Sequence, residues 1–93
     1  MARMNHHKGI QTGYGCYYDE PREPGEARIT VAYFECPDLI ETLETAARLL
    51  QTQRQVTVVS NGLYNVRTYW SVKELIYDYP EMVKFIQTAA TAS

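Results

Sequence analysis

Four stretches of this chain are rich in apolar, β-branched and aromatic strand formers, and in two more apolar residues recur at the helical period. Ala27 to Glu35 (Ala-Arg-Ile-Thr-Val-Ala-Tyr-Phe-Glu) is rich in β-branched and aromatic residues and reads as a strand. Gly13 to Glu20 (Gly-Tyr-Gly-Cys-Tyr-Tyr-Asp-Glu) carries aromatic strand formers together with two glycines. Pro21-Arg22-Glu23-Pro24-Gly25-Glu26 lies between them, and its prolines and glycine oppose regular structure. The three segments predict a hairpin with a loop of about six residues. Residues 1–11 are polar and show no period, which predicts a mobile tail.

Pro37 to about Gln53 predicts an amphipathic helix. Leu39, Ile40, Leu43, Ala46, Ala47 and Leu50 share one face, with Glu41, Glu44, Arg48 and Gln51 on the other. Pro37 suits the first turn, where its missing N–H is not needed. Gln55 to Ser60 and Tyr64 to Trp70 read as strands, with Asn61-Gly62 supplying the positive φ values of a tight hairpin turn. Ser71-Val72-Lys73-Glu74 is a capping box in which each side chain bonds the other residue's N–H, with Trp70 and Leu75 in the staple positions. Val72, Leu75, Ile76, Tyr79, Val83 and Ile86 continue the apolar face. Pro80 interrupts it, so a helix to about Asp78, a kink and a second segment to near Ala89 are expected.

An internal echo joins the two halves. Tyr33-Phe34-Glu35-Cys36-Pro37-Asp38-Leu39-Ile40 aligns with Tyr69-Trp70-Ser71-Val72-Lys73-Glu74-Leu75-Ile76, a strand handing over to a helix each time. The expected fold is therefore one α+β domain of plan ββαββα, with units at 13–53 and 55–90. A four-stranded, mainly antiparallel sheet would carry both helices on one face, the second helix kinked at Pro80.

That packing leaves a tension. Ile29, Val31 and Tyr33 oppose Ala32 and Phe34, Val56 and Val58 oppose Val59, and Val66 and Trp70 oppose Tyr69. Both faces of the sheet are thus apolar, while two helices cover only one and a solvated face should be polar. Either the N-terminal tail or a bulge covers the excess, or the tyrosines simply tolerate water, or the second face or a sheet edge meets another protein chain. The residues expected on that surface are Tyr33, Tyr69 and Arg67, with Glu20, Glu23 and Glu26 in the hairpin loop.

Composition narrows the function classes. The chain has 93 residues, a net charge of −2 and eight tyrosines. That length buries roughly 60–65% of the unfolded surface, which is one thin core. The slight acidic excess disfavours a general nucleic-acid or membrane-surface binder, and no apolar run approaches a membrane span. No apolar stretch follows the basic start, so no signal peptide is expected, and the expected compartment is cytoplasmic. Cys16 and Cys36 then read as reduced thiols, with a single disulfide as the alternative.

Candidate chemistry is sparse. His6, His7, Cys16 and Cys36 fit no zinc spacing, so no metal or other cofactor is expected. No histidine lies in the folded region to serve as a general base, and Ser71 is explained as a cap, so the chain reads as non-enzymatic. Tyr14, Tyr17, Tyr18, Tyr33, Tyr64 and Tyr69, with Arg28, Arg54, Arg67 and Lys73, allow single-stranded nucleic acid as an alternative ligand. Asp19, Glu20, Glu23, Glu26, Glu35, Asp38, Glu41 and Glu44 form an acidic run that could steer docking onto a basic partner.

In its size, its lack of catalytic residues and its tyrosine-rich, mildly acidic character, the chain resembles the small accessory proteins that phages encode to inhibit host factors or defence systems, including anti-CRISPR proteins. The resemblance covers general character and no motif. It implies a stoichiometric inhibitor or regulator that occludes a functional surface of its target in the host cytoplasm. A homodimer and an oligomeric structural subunit are the other protein-binding expectations.

Overall fold

The computed structural model describes residues 10, 12–19, 31–62 and 64–91. Four strands, β1 (Gly15–Asp19), β2 (Val31–Glu35), β3 (Val56–Ser60) and β4 (Asn65–Tyr69), form one antiparallel sheet in the order β2-β1-β3-β4. Three helices, α1 (Leu39–Leu49), α2 (Val72–Asp78) and α3 (Val83–Thr91), complete an α+β fold. The hairpin loop 21–26, most of the N-terminal tail and residues 27–30 of the expected second strand lie outside the described residues.

The first strand of each hairpin is an inner strand and the second is an edge. Since β1 is antiparallel to both β2 and β3, those two run parallel with β1 between them. Helix α1 makes the crossover that joins them, packing on β1 and β3, while α3 packs on α1 and α2 on α3 and β4. Leu43, Ala46 and Ala47 of α1 meet Cys16, Val56, Val58 and Tyr69 of the sheet and Leu75, Ile86 and Ala89 of the other helices in one buried cluster. No described helix is long and apolar enough to cross a membrane.

Local chemistry sets the boundaries. Helix α1 starts two residues after Pro37, because the Asp38 side chain caps it by accepting the Glu41 N–H at 2.9 Å. It also stops short of Gln53, whose N–H turns back to the Leu49 carbonyl at 2.8 Å. Ser71 caps α2 by accepting the Glu74 N–H at 3.2 Å. The reciprocal bond of the expected box is shifted by one residue, because the Glu74 carboxylate accepts from the Trp70 N–H at 2.7 Å. Pro80 acts as expected: Tyr79 leaves the helical region at φ −129, ψ 62, and Pro80–Met82 form a single 3₁₀ turn before α3 begins.

Asn61 and Gly62 both take positive φ, at 56° and 65°. The loop they open is four residues long rather than two, since Ser60 pairs with Asn65 and the Tyr64 N–H closes onto the Asn61 carbonyl at 3.2 Å.

The echo fails where side-chain direction is concerned. Its offset of 36 places Tyr33 with Tyr69, yet the two cap residues, Asp38 and Ser71, lie 33 positions apart. An even offset and an odd one select opposite strand faces, because successive side chains alternate. The helices lock the odd one. Tyr69 therefore points at the helices, 2% exposed, while Tyr33 lies on the other face, beside Tyr17.

Candidate docking face

The face away from the helices is built by alternate residues of all four strands. Tyr33, Tyr17, Thr57 and Thr68 form one cross-strand row, set by the pairings of Tyr17 with Tyr33 and Thr57 and of Thr57 with Thr68. The Tyr17 and Tyr33 rings lie 5.3 Å apart at 49°, within the range of favourable aromatic pairs. The Thr57 and Thr68 hydroxyls share a hydrogen bond of 2.8 Å. Burial, aided by Tyr33 and Asp19, pushes the Tyr17 phenol above the ordinary tyrosine range, against the pull of a hydrogen bond with Thr57. It remains neutral under all physiological conditions.

A second row holds Glu35, Gly15, Val59 and Val66. Val66, on the edge strand, is 40% exposed, whereas Val59 beside it is fully buried although none of the described helices covers this face. Ile10 lies close to this row. It is 1% exposed, and its Cδ1 would lie 2.6 Å from a Cβ placed on Gly15. The isoleucine therefore packs against Gly15, the strand partner of Val59, at a point where the Phe34 carbonyl also leaves no room for a side chain. Read from the sequence as part of a polar tail, Ile10 is instead a buried apolar residue packed against Gly15.

Thr12 fixes the chain that follows. Its N–H donates to the Glu35 carboxylate at 2.5 Å, and its hydroxyl donates to the Cys36 carbonyl at 2.8 Å. Two exposed rings bracket β4: Tyr64 before it, 87% exposed, and Trp70 after it, 56% exposed. Trp70 thus stays largely in solvent while its expected staple partner Leu75 is fully buried.

The expected site residues separate. Tyr33 lies on the open face. Tyr69 does not: it is a core residue whose phenol donates to Asp78 Oδ2 at 2.6 Å. Arg67 shares its strand side, donating to the same oxygen at 2.6 Å with its guanidinium 5.2 Å from the Tyr69 ring centre. Tyr69 and Arg67 thus form an internal clamp between β4 and α2 rather than a docking pair with Tyr33. Burial first, and then the Asp78 hydrogen bond, hold the Tyr69 phenol far above its ordinary range. Glu20, Glu23 and Glu26 lie outside the described residues. The described acids are dispersed: Asp19 and Glu35 stand at opposite ends of the β1–β2 hairpin, and Asp38 is spent as a cap.

Elsewhere, Cys16 and Cys36 are both buried and unpaired with each other. Burial, followed by the neighbouring Cys36, pushes the Cys16 thiol up to about 12. A shallow groove of about 560 Å³ between α2 and α3 is lined by Val72, Lys73, Ile76, Gln87 and Ala90, and no histidine, cysteine or carboxylate is among its described lining residues.

Sequence reasoning found by alternation alone that both sheet faces are apolar, but it placed Tyr69 and Arg67 on the docking side and thus missed Val66. It missed Ile10, a single apolar residue in a polar segment. The available signal was Gly15, a strand position without a side chain, which leaves a space for something else to fill. No family model matches this chain, and neither does any curated protein or any solved structure.

Proposed function

We propose that this chain is a small non-enzymatic binding module that docks another protein on the open sheet face, acting as a stoichiometric inhibitor or regulator. The observation that carries the reading is a sheet face that bears the Tyr17–Tyr33 ring pair towards one edge and the half-exposed Val66 at the other, and that none of the described helices covers. A solvated antiparallel face is ordinarily polar, and an aromatic and aliphatic patch with hydroxyl groups around it is the composition of protein interfaces. Occlusion of a target surface, as the resemblance to phage-encoded inhibitors implies, needs no catalytic group.

Nucleic acid is the weaker reading. Of the rings and cations it would use, Tyr69 is buried and Arg67 is engaged with Asp78 on the helix side.

The test is affinity capture from a lysate of the encoding organism and, where phage origin applies, of its host. Co-purification of one protein that then elutes with the chain as a stoichiometric complex on a sizing column is expected. A chain that captures nothing and remains a monomer contradicts the proposal, and a stable homodimer redirects it to a second copy as the partner.

A further inference from the structure

Strand β4 ends the sheet on one side. An edge strand presents main-chain N–H and C=O groups that have no strand partner, and proteins ordinarily blunt such a row with proline, a bulge or charged side chains. On β4 these devices are missing or diverted. Residues 64–70 contain no proline. All five residues of β4 pair one to one with β3, so no bulge twists the edge away. Its one charged residue, Arg67, is drawn onto Asp78 of α2 at 2.6 Å. The strand is also accessible. Asn65, Val66 and Arg67 follow one another and so face alternate sides of the sheet, yet all three are exposed. That pattern belongs to a strand whose outer flank is open.

An open edge alone fits any extended segment, and here the side chains choose among them. We infer that β4 pairs antiparallel with β4 of a second copy of this chain, about a two-fold axis at Val66. In that register Val66 faces the partner's Val66, and Asn65 faces the partner's Arg67. The two half-exposed valines then cover each other, and each guanidinium meets a neutral amide. A register centred one residue later would set Arg67 against its own copy, a destabilising like-charge pair. The two-fold axis places both helix layers on one side of a continuous eight-stranded sheet and both open faces on the other. This goes beyond the docking reading and leaves it intact, because the Tyr17–Tyr33 pairs lie on β1 and β2, away from the joined edge. One strand pair of this length buries less than the roughly 1,200 Å² of a stable complex. The dimer is therefore reversible and rises with concentration, unlike a stable homodimer made through the open face.

The experiment is sedimentation equilibrium of the full chain over a concentration series reaching about 1 mM, the range in which small contacts associate. The average mass should climb towards that of a dimer and stop there. Val66→Lys sets an ammonium against its own copy and should weaken association by more than about tenfold. Asn65→Asp sets a carboxylate against the partner's Arg67 and should tighten it by about two- to tenfold. Tyr33→Ala, on the far strand, should leave it unchanged. Circular dichroism establishes that each variant is folded, and both substituted β4 positions are exposed. A chain that stays monomeric throughout overturns the inference. A dimer that either β4 variant leaves unchanged, or that Tyr33→Ala disrupts, overturns it as well, because its contact then lies elsewhere.

Discussion

Tyr69 donates its phenol proton to Asp78 at 2.6 Å, and that bond ties the last residue of β4 to the last residue of α2. A tyrosine 2% exposed needs such a partner, since a buried hydroxyl without one costs more than the bond itself returns. Asp78→Ala should therefore destabilise the chain by about 1–3 kcal/mol, and Tyr69→Phe by about 1 kcal/mol. Arg67→Ala should cost about 1 kcal/mol or less, because its side chain is 59% exposed and solvent screens the pair. Urea unfolding of the three single variants and the Tyr69→Phe, Asp78→Ala double variant checks this. The double variant should cost less than the sum of the two singles.

Two buried acids make the fold sensitive to alkali. The Tyr69 phenol and the Cys16 thiol both ionise at higher pH in the folded chain than in the unfolded one. The unfolded chain therefore loses these protons first as pH rises. Stability from the neutral thiol is complete below its ordinary value of 9.0 and drains as pH climbs toward about 12. The phenol contribution is complete below about pH 10 and drains above it. Urea midpoints should hold level up to about pH 8 and fall steeply by about pH 11. Tyr69→Phe should make that fall shallower.

Gly62 at the β3–β4 turn and Gly13, which lies against it just before β1, are not equivalent. Gly62, at φ +65, has nothing within 4 Å of an added Cβ, so Gly62→Ala should cost only the conformational penalty, about 1–2 kcal/mol. Gly13→Ala should cost more, because its Cβ would meet the Gly62 backbone as well as requiring φ +94. Thermal unfolding of the two variants under identical conditions ranks them, and the reverse order would show that the close approach of Gly13 to Gly62 is not maintained.

Much of the fold was legible because its signals are local. Alternation marked the strands, Asn61-Gly62 marked their turn, Ser71 and Pro80 marked where the last helices start and break. Direction was harder. Tyr33 and Tyr69 look equivalent along the chain, but the face each occupies depends on where its helix begins, and Asp38 rather than Pro37 begins α1. A shift of an odd number of residues reverses every side chain in a strand. The contact of Ile10 with Gly15 and the clamp of Arg67 and Tyr69 on Asp78 join segments 5, 11 and 9 positions apart through the fold of the sheet edge and helix ends. No periodicity encodes such contacts. What remained readable of the candidate site was Tyr33 and the apolar character of both sheet faces; alternation set Val66 opposite Tyr69 without saying which of the two meets the helices.

The central claim, that the open sheet face docks a protein, is tested most directly by comparing capture by three forms of the chain. Tyr33→Ala with Val66→Asp alters the open face, and Tyr77→Ala with Phe85→Ala alters exposed rings on the helices. With circular dichroism establishing that all three are folded, quantitative mass spectrometry of the captured proteins gives the result. The account predicts one stoichiometric partner retained by the unaltered chain and by the helix variant, and lost from the open-face variant. Equal retention by both variants, or loss only from the helix variant, would contradict it.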